Sequence, residues 1–92
     1  DEEKHLDRAD LVVEVVSEGS TNRNRDLIDK RAEYAVAGIT EYWIVDPERK
    51  NVTVLILQSG EYVESGTFGM NDVVRSTVVF GFEISVAKVF AK

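Results

Sequence analysis

Apolar residues recur along this chain in two rhythms. In the first, ADLVVEVVS, they run almost unbroken, with β-branched valines at 12, 13, 15 and 16 that suit a pleated strand. The pattern predicts a strand over 10–17 and then a polar turn over 18–23, rich in Gly, Ser, Thr and Asn. A helical rhythm follows from about Asn24 to Ala37, with Asn24 as N-cap, Asp26 in the positive first turn and Gly38 just past the end. A second apolar strand, over 41–46, stops at Pro47, which has no amide for a ladder. The turn ERKN leads into VTVLILQ, and Ser59-Gly60 turns it back through EYVES, so 52–65 reads as a β-hairpin. A short strand within VVRSTVV, an extended piece from Gly81 to Ser85 and a helical turn or two in VAKVF close the chain. No internal repeat is visible.

The two rhythms also assign faces. Strand alternation puts Asp10, Val12, Glu14 and Val16 on one side, and Leu11, Val13 and Val15 on the other. Apart from the two acids both sides are apolar, which predicts a central strand covered on both faces. Glu14 then stands out, because burying an unpaired carboxylate is expensive. A metal ion, a partner such as Arg23, Arg25 or a buried hydroxyl, or exposure at a sheet edge would each resolve that cost. On the helix, Ile28, Ala32, Ala35 and Val36 cluster on the side expected to pack on the sheet. Asp26, Lys30 and Tyr34 form a separate stripe four residues apart. Taken alone, it reads as a solvated face with an Asp26–Lys30 pair contributing about 0.2–0.5 kcal/mol.

Composition narrows the classes. Ninety-two residues, 43% hydrophobic, make one globular domain. With no cysteine there is neither a disulfide framework nor a thiolate zinc site. Neither LVVEVV nor VTVLIL approaches a bilayer span and no leader opens the chain, so the expectation is a cytoplasmic protein without a membrane partner. The highly charged start, from Asp1 onwards, reads as a connecting loop inside a longer protein, with 1–92 as the C-terminal part of one domain. Seventeen acids against eleven bases give a net charge of −6, which argues against a broad nucleic-acid surface. Arg23, Arg25, Lys30 and Arg31 nevertheless cluster around the turn and helix start, and a carboxylate-held metal site needs acids in any case. His5, alone in a charged run, reads as solvated. Tyr34, Tyr42 and Trp43 suit core or interface packing more than base stacking. No phosphate-cradling glycine loop and no Ser/His/Asp set is present, and Asn51-Val52-Thr53 has no use as a glycosylation site in a cytoplasmic chain.

The run ADLVVEVVS, the helical D-x-x-x-K-x-x-x-Y, the strand AGITEYWIVDP and the closing GFEISVAKVF together resemble the Uma-two family of restriction endonucleases, within the PD-(D/E)XK nuclease superfamily. The resemblance covers about residues 9 to 90, and GITEYWIVDP is its most specific piece. It implies an α/β fold: a restriction-endonuclease-like mixed sheet flanked by helices, with a β-hairpin after the central helix–strand unit. It also implies Mg2+-dependent (or Mn2+-dependent) cleavage of DNA phosphodiester bonds. By the same resemblance Glu14 is the acid of the D/E-x-K triplet and Asp10 the acid of the PD pair, both as metal ligands. The triplet's lysine place is Val16, and Lys30 matches a lysine moved onto the following helix.

Two departures qualify the match. Ala9 stands where the family has the proline of its PD pair, and Glu18 where a proline follows the serine. Asp10 and Glu14 also lie about 13 Å apart along an extended strand, too far to share easily an ion that takes oxygens at about 2.0–2.1 Å. The expectation is a partner acid on a neighbouring strand, upstream in the family, with the 92-residue chain alone a poor nuclease that self-associates, as a dimer, through its open sheet edge. The alternatives are a non-catalytic nucleic-acid- or protein-binding relic of the fold and a structural dimerisation domain.

Overall fold

The computed structural model describes residues 10–16 and 23–91. Most of the turn expected over 18–23 lies outside them, as do the side chains of Arg23, Asn24, Arg25 and Asp26. Eight elements follow in chain order: β1 (Leu11–Val15), α1 (Arg23–Ala37), β2 (Glu41–Asp46), β3 (Asn51–Gln58), β4 (Glu61–Phe68), β5 (Val73–Arg75), β6 (Glu83–Ser85) and α2 (Val86–Val89). β1 to β4 form one sheet in sequence order, β1 parallel to β2 and the remaining pairs antiparallel. β5 and β6 pair antiparallel in a second, two-stranded sheet. This is the expected mixed α/β architecture with its hairpin.

Local chemistry sets the joints. Gly38 takes φ +78, its amide bonds Ala35 O at 3.0 Å, and the Ile39 amide bonds Tyr34 O at 3.1 Å. Those two bonds form a Schellman stop, which needs a left-handed residue where only glycine sits without strain. Asp46 caps the β2–β3 turn, its Oδ1 accepting the amides of Glu48 and Arg49 at 3.1 Å each. Ser59 and Gly60 both take positive φ, 52 and 84, as a tight hairpin turn requires. The β3–β4 register slips between Val54 and Leu55. This bulge carries β4 on to Phe68, three residues beyond the expected hairpin. α1 starts at Arg23, so Asn24 lies inside the helix rather than capping it.

The core lies on both faces of the sheet. On the α1 face, Val16, Tyr42, Ile44 and Leu55 are buried, with Val12, Leu27, Tyr34 and Tyr62 packed against them. On the opposite face Trp43, Val45, Val52 and Val54 meet Val74 and Val86 of the C-terminal segment. Each such side chain contributes about 1.5–3 kcal/mol by leaving water.

Two expectations are corrected. β1 is an edge strand rather than a central one: its side away from α1 leaves Val13 and Val15 48% and 61% exposed. No described strand pairs beyond it, so the unbroken valine run does not imply cover on both sides. Nor does α1 pack through Ile28 and Val36, which are 67% and 91% exposed. Its sheet-facing side carries Leu27 and Tyr34, together with Lys30, which reaches Glu14. Lysine and tyrosine can cover apolar surface with stem or ring while keeping a polar tip at the edge.

Candidate active site

Parallel pairing sets Glu14 beside Ile44, so its side chain rises on the α1 face. There the Tyr34 hydroxyl donates to Glu14 Oε1 at 2.9 Å, and Lys30 Nζ stands 4.0 Å from Oε2. The Glu14 side chain is 28% exposed and that of Lys30 44%. Solvent therefore reaches the pair, and its attraction is worth at most about 1 kcal/mol. The structure thus brings Glu14 and Lys30 together, with Tyr34, one helical turn on, holding the carboxylate's other oxygen. Of the partners weighed for Glu14, a hydroxyl is seen, that of Tyr34; Lys30 was not among them, and the side chains of Arg23 and Arg25 lie outside the described residues.

Asp10 is not brought to them. It lies exposed before β1, where its carbonyl accepts the Glu41 amide at 3.0 Å. Among the described residues no three His, Asp or Glu side chains gather as a metal centre.

Behind Glu14 lies an aromatic floor. The Tyr34 and Tyr42 rings meet edge to face at 5.1 Å, and Tyr42 and Tyr62 at 5.5 Å. Tyr42 is fully buried and its hydroxyl has no hydrogen-bond partner. Burial first, then the nearby Glu14 charge, push its pKa up to about 12, against a smaller lowering by Arg31. Burial and the bond to Glu14 raise Tyr34 as well, and burial raises Tyr62. All three phenols stay neutral at ordinary pH. Tyr34 can therefore donate to a carboxylate, whereas the Tyr42 hydroxyl is buried without a partner.

At the carboxyl ends of β1 and β2 a groove of about 290 Å³ opens on the same face, where ligands gather in many parallel arrangements. Arg31 and Arg49 line it with Asp46, Asn51, Thr53 and Thr67. Arg49 is a contributor the sequence did not single out. It sits three residues past Asp46, the end of Tyr-Trp-Ile-Val-Asp, in a turn, where nothing local marks it as facing α1.

A second carboxylate, also missed, lies on the opposite face. Glu41 is fully buried, and its oxygens accept from Trp43 Nε1 at 2.8 Å, Ser76 Oγ at 2.7 Å and the amides of Thr77 and Val78 at 3.1 and 3.2 Å. Phe82 stacks on the Trp43 ring, centroids 5.4 Å apart. The one local signal was an acid and a tryptophan two residues apart, hence on one face of a strand.

A family profile described as Uma2, putative restriction endonuclease, matches residues 2–87. Among solved structures, a nuclease of the DUF820 group from Anabaena variabilis, itself described as putative, is similar with a TM-score of 0.66 at 18% identity. The likeness covers 90% of this chain and 45% of that one, so the chain spans less than half of that protein. No curated protein matches. No helix among the described residues is long and apolar enough to cross a membrane.

Proposed function

The chain belongs to the Uma2 family of putative restriction endonucleases, and from that premise we propose that it is a magnesium-dependent nuclease of the PD-(D/E)XK type, cutting DNA phosphodiester bonds beside the Glu14–Lys30 pair. The observation that carries this reading is a mid-strand carboxylate left open to solvent, bonded by Tyr34 and faced by an ammonium. Magnesium takes hard oxygen ligands and is commonly held by one or two carboxylates with water filling the rest, a donor set that Glu14 fits and Asp10, as placed, does not. Once bound, such an ion supplies Lewis-acid polarisation of a phosphate and a more acidic water.

The chain's own groups do the remaining work. Tyr34 fixes the Glu14 rotamer, because its hydroxyl occupies Oε1 and leaves Oε2 facing Lys30. Lys30 places a positive charge beside the carboxylate, where negative charge would grow on a phosphate under attack. Arg31 and Arg49 in the adjoining groove give the flanking phosphates charge-assisted donors. They also offset locally a net charge of −6 that would otherwise repel DNA.

A non-catalytic relic of the fold is the second reading, favoured by the lack of a three-ligand cluster among the described residues. Calorimetry with magnesium alone and plasmid nicking, run together, decide between them. The nuclease reading expects magnesium to bind wild type but not Glu14→Gln. It also expects EDTA-sensitive nicking by an upstream-extended chain, falling roughly a hundredfold in Glu14→Gln and in Lys30→Ala. Equal magnesium affinity in wild type and Glu14→Gln would make Glu14 a structural acid and favour the relic.

A further inference from the structure

The two oxygens of Glu14 are held in unlike ways. The Tyr34 hydroxyl bonds Oε1 at 2.9 Å, inside hydrogen-bond range, and its ring rests edge to face on the buried Tyr42 ring at 5.1 Å. Lys30 Nζ stands 4.0 Å from Oε2, beyond the about 2.7–2.9 Å of a charge-assisted bond. Charge alone keeps it there. The Lys30 side chain is 44% exposed and carries its head on a flexible four-carbon stem. Both residues belong to α1, one turn apart on the same stripe. One contact is thus fixed by core packing, while the other can exchange.

We infer that Lys30 is a placeholder on Glu14: its ammonium balances Oε2 until a divalent cation takes that oxygen, and then swings away to a substrate phosphate. The identity of the cation and of the substrate rests on the nuclease reading. Magnesium bonds oxygen at about 2.0–2.1 Å. An ion on Oε2 would therefore stand no more than about 6 Å from an ammonium that stayed in place. That is well within the roughly 8–10 Å over which charges act on each other in salt. Two positive groups compete for one carboxylate oxygen, so Lys30 opposes the binding of the ion it works beside. Tyr34 acts in the opposite sense. By holding Oε1 it keeps the carboxylate in one orientation, as hydrogen-bonded partners of ligating carboxylates do. The lysine is then committed to phosphate only once the ion is in place, which ties the two positive charges of the reaction to each other.

Titration of magnesium alone into an upstream-extended chain, followed by calorimetry, tests this. Thermal melts in the same buffers give a second readout, through the stability that a bound ion adds. Lys30→Met keeps an apolar stem over the sheet without the charge, and Lys30→Gln repeats the test with a different neutral side chain. Both are expected to bind magnesium more tightly than wild type, by up to about fivefold, the factor that an exposed ion pair is worth. Lys30→Arg restores the charge and should bind as wild type does. Tyr34→Phe keeps the ring and should bind about tenfold more weakly, and Glu14→Gln should not bind. Opposite signs at two residues that touch one carboxylate are the signature, because a general loosening of α1 would weaken binding at both. Neutral variants at Lys30 that bind no more tightly than wild type overturn the placeholder role, and so does Lys30→Arg binding as tightly as they do. Tyr34→Phe binding as well as wild type overturns the division between the two oxygens. Failure of wild type to bind magnesium overturns this inference and the nuclease reading together. Tighter binding in the neutral variants, with no nicking by wild type, supports the placeholder and counts against the nuclease reading alone.

Discussion

Two strand carboxylates in this chain meet opposite fates, one on each face of the sheet. Glu41 has no exposure, and its oxygens accept from an indole, a hydroxyl and two backbone amides. Glu14 keeps solvent access, one phenol bond and an ammonium at the limit of contact. The first is saturated by fixed donors, and a charge so held has no capacity left for a ligand. The second is under-coordinated and accessible, as a group that must exchange partners has to be. Under the proposed function, burial alone would pick out the other acid; the count and kind of donors then separates a fastening from a candidate site.

The largest test of that contrast is Glu41→Ala. It strands buried donors on Trp43, Ser76, Thr77 and Val78, and should cost about 3–5 kcal/mol in urea unfolding. Glu14→Gln should cost less than about 1 kcal/mol. Comparable losses at the two positions would erase the distinction. Ser76→Ala removes one of the four donors while the carboxylate keeps three, so a smaller loss of about 1 kcal/mol is expected; no loss would mean that the indole and the two amides suffice to hold Glu41.

Smallest, and opposite in sign, is Tyr42→Phe. It deletes a buried hydroxyl that has no partner and should leave stability unchanged or raise it by up to about 1 kcal/mol near neutral pH. The same hydroxyl sets an alkaline dependence. An unfolded tyrosine ionises near pH 10 while the folded one waits until about 12. The unfolded chain therefore releases its proton first, and stability present below pH 10 is lost as pH rises from 10 towards 12. Tyr42→Phe should flatten that decline in a pH series of thermal melts. Destabilisation at neutral pH would show that the hydroxyl has a partner after all, such as Glu14.

Much of the fold was legible because its signals are local. Pro47, Gly38 and Ser59-Gly60 each force a backbone conformation within a few residues, and the elements between them are found in the expected order. The status of β1 was not legible, because a run of valines reports a taste for pleated structure and not how many strands flank it. The sheet-facing side of α1 was hidden for a different reason: Lys30 and Tyr34 score as polar, yet they lie over the sheet. For the site, the stripe of Asp26, Lys30 and Tyr34 held two side chains that do meet Glu14 in space, but only the resemblance tied Lys30 to Glu14, and the contact made by Tyr34 went unread. Glu41 escaped because three of its four donors come from residues 76 to 78, more than thirty positions away, and the Trp43 indole nearby was the one local signal.

Trp43 is the chain's single tryptophan. Its indole is 2% exposed, bonded to Glu41 and stacked on Phe82. All tryptophan emission therefore arises at the seam between the sheet and the segment that carries β5, β6 and α2. If that segment lifts while the sheet stays folded, the indole loses its anion, its stacked ring and its dry surroundings together. The emission maximum should then move to longer wavelength before the sheet's circular dichroism changes. The protein thus carries a built-in optical gauge of one seam, readable without any label.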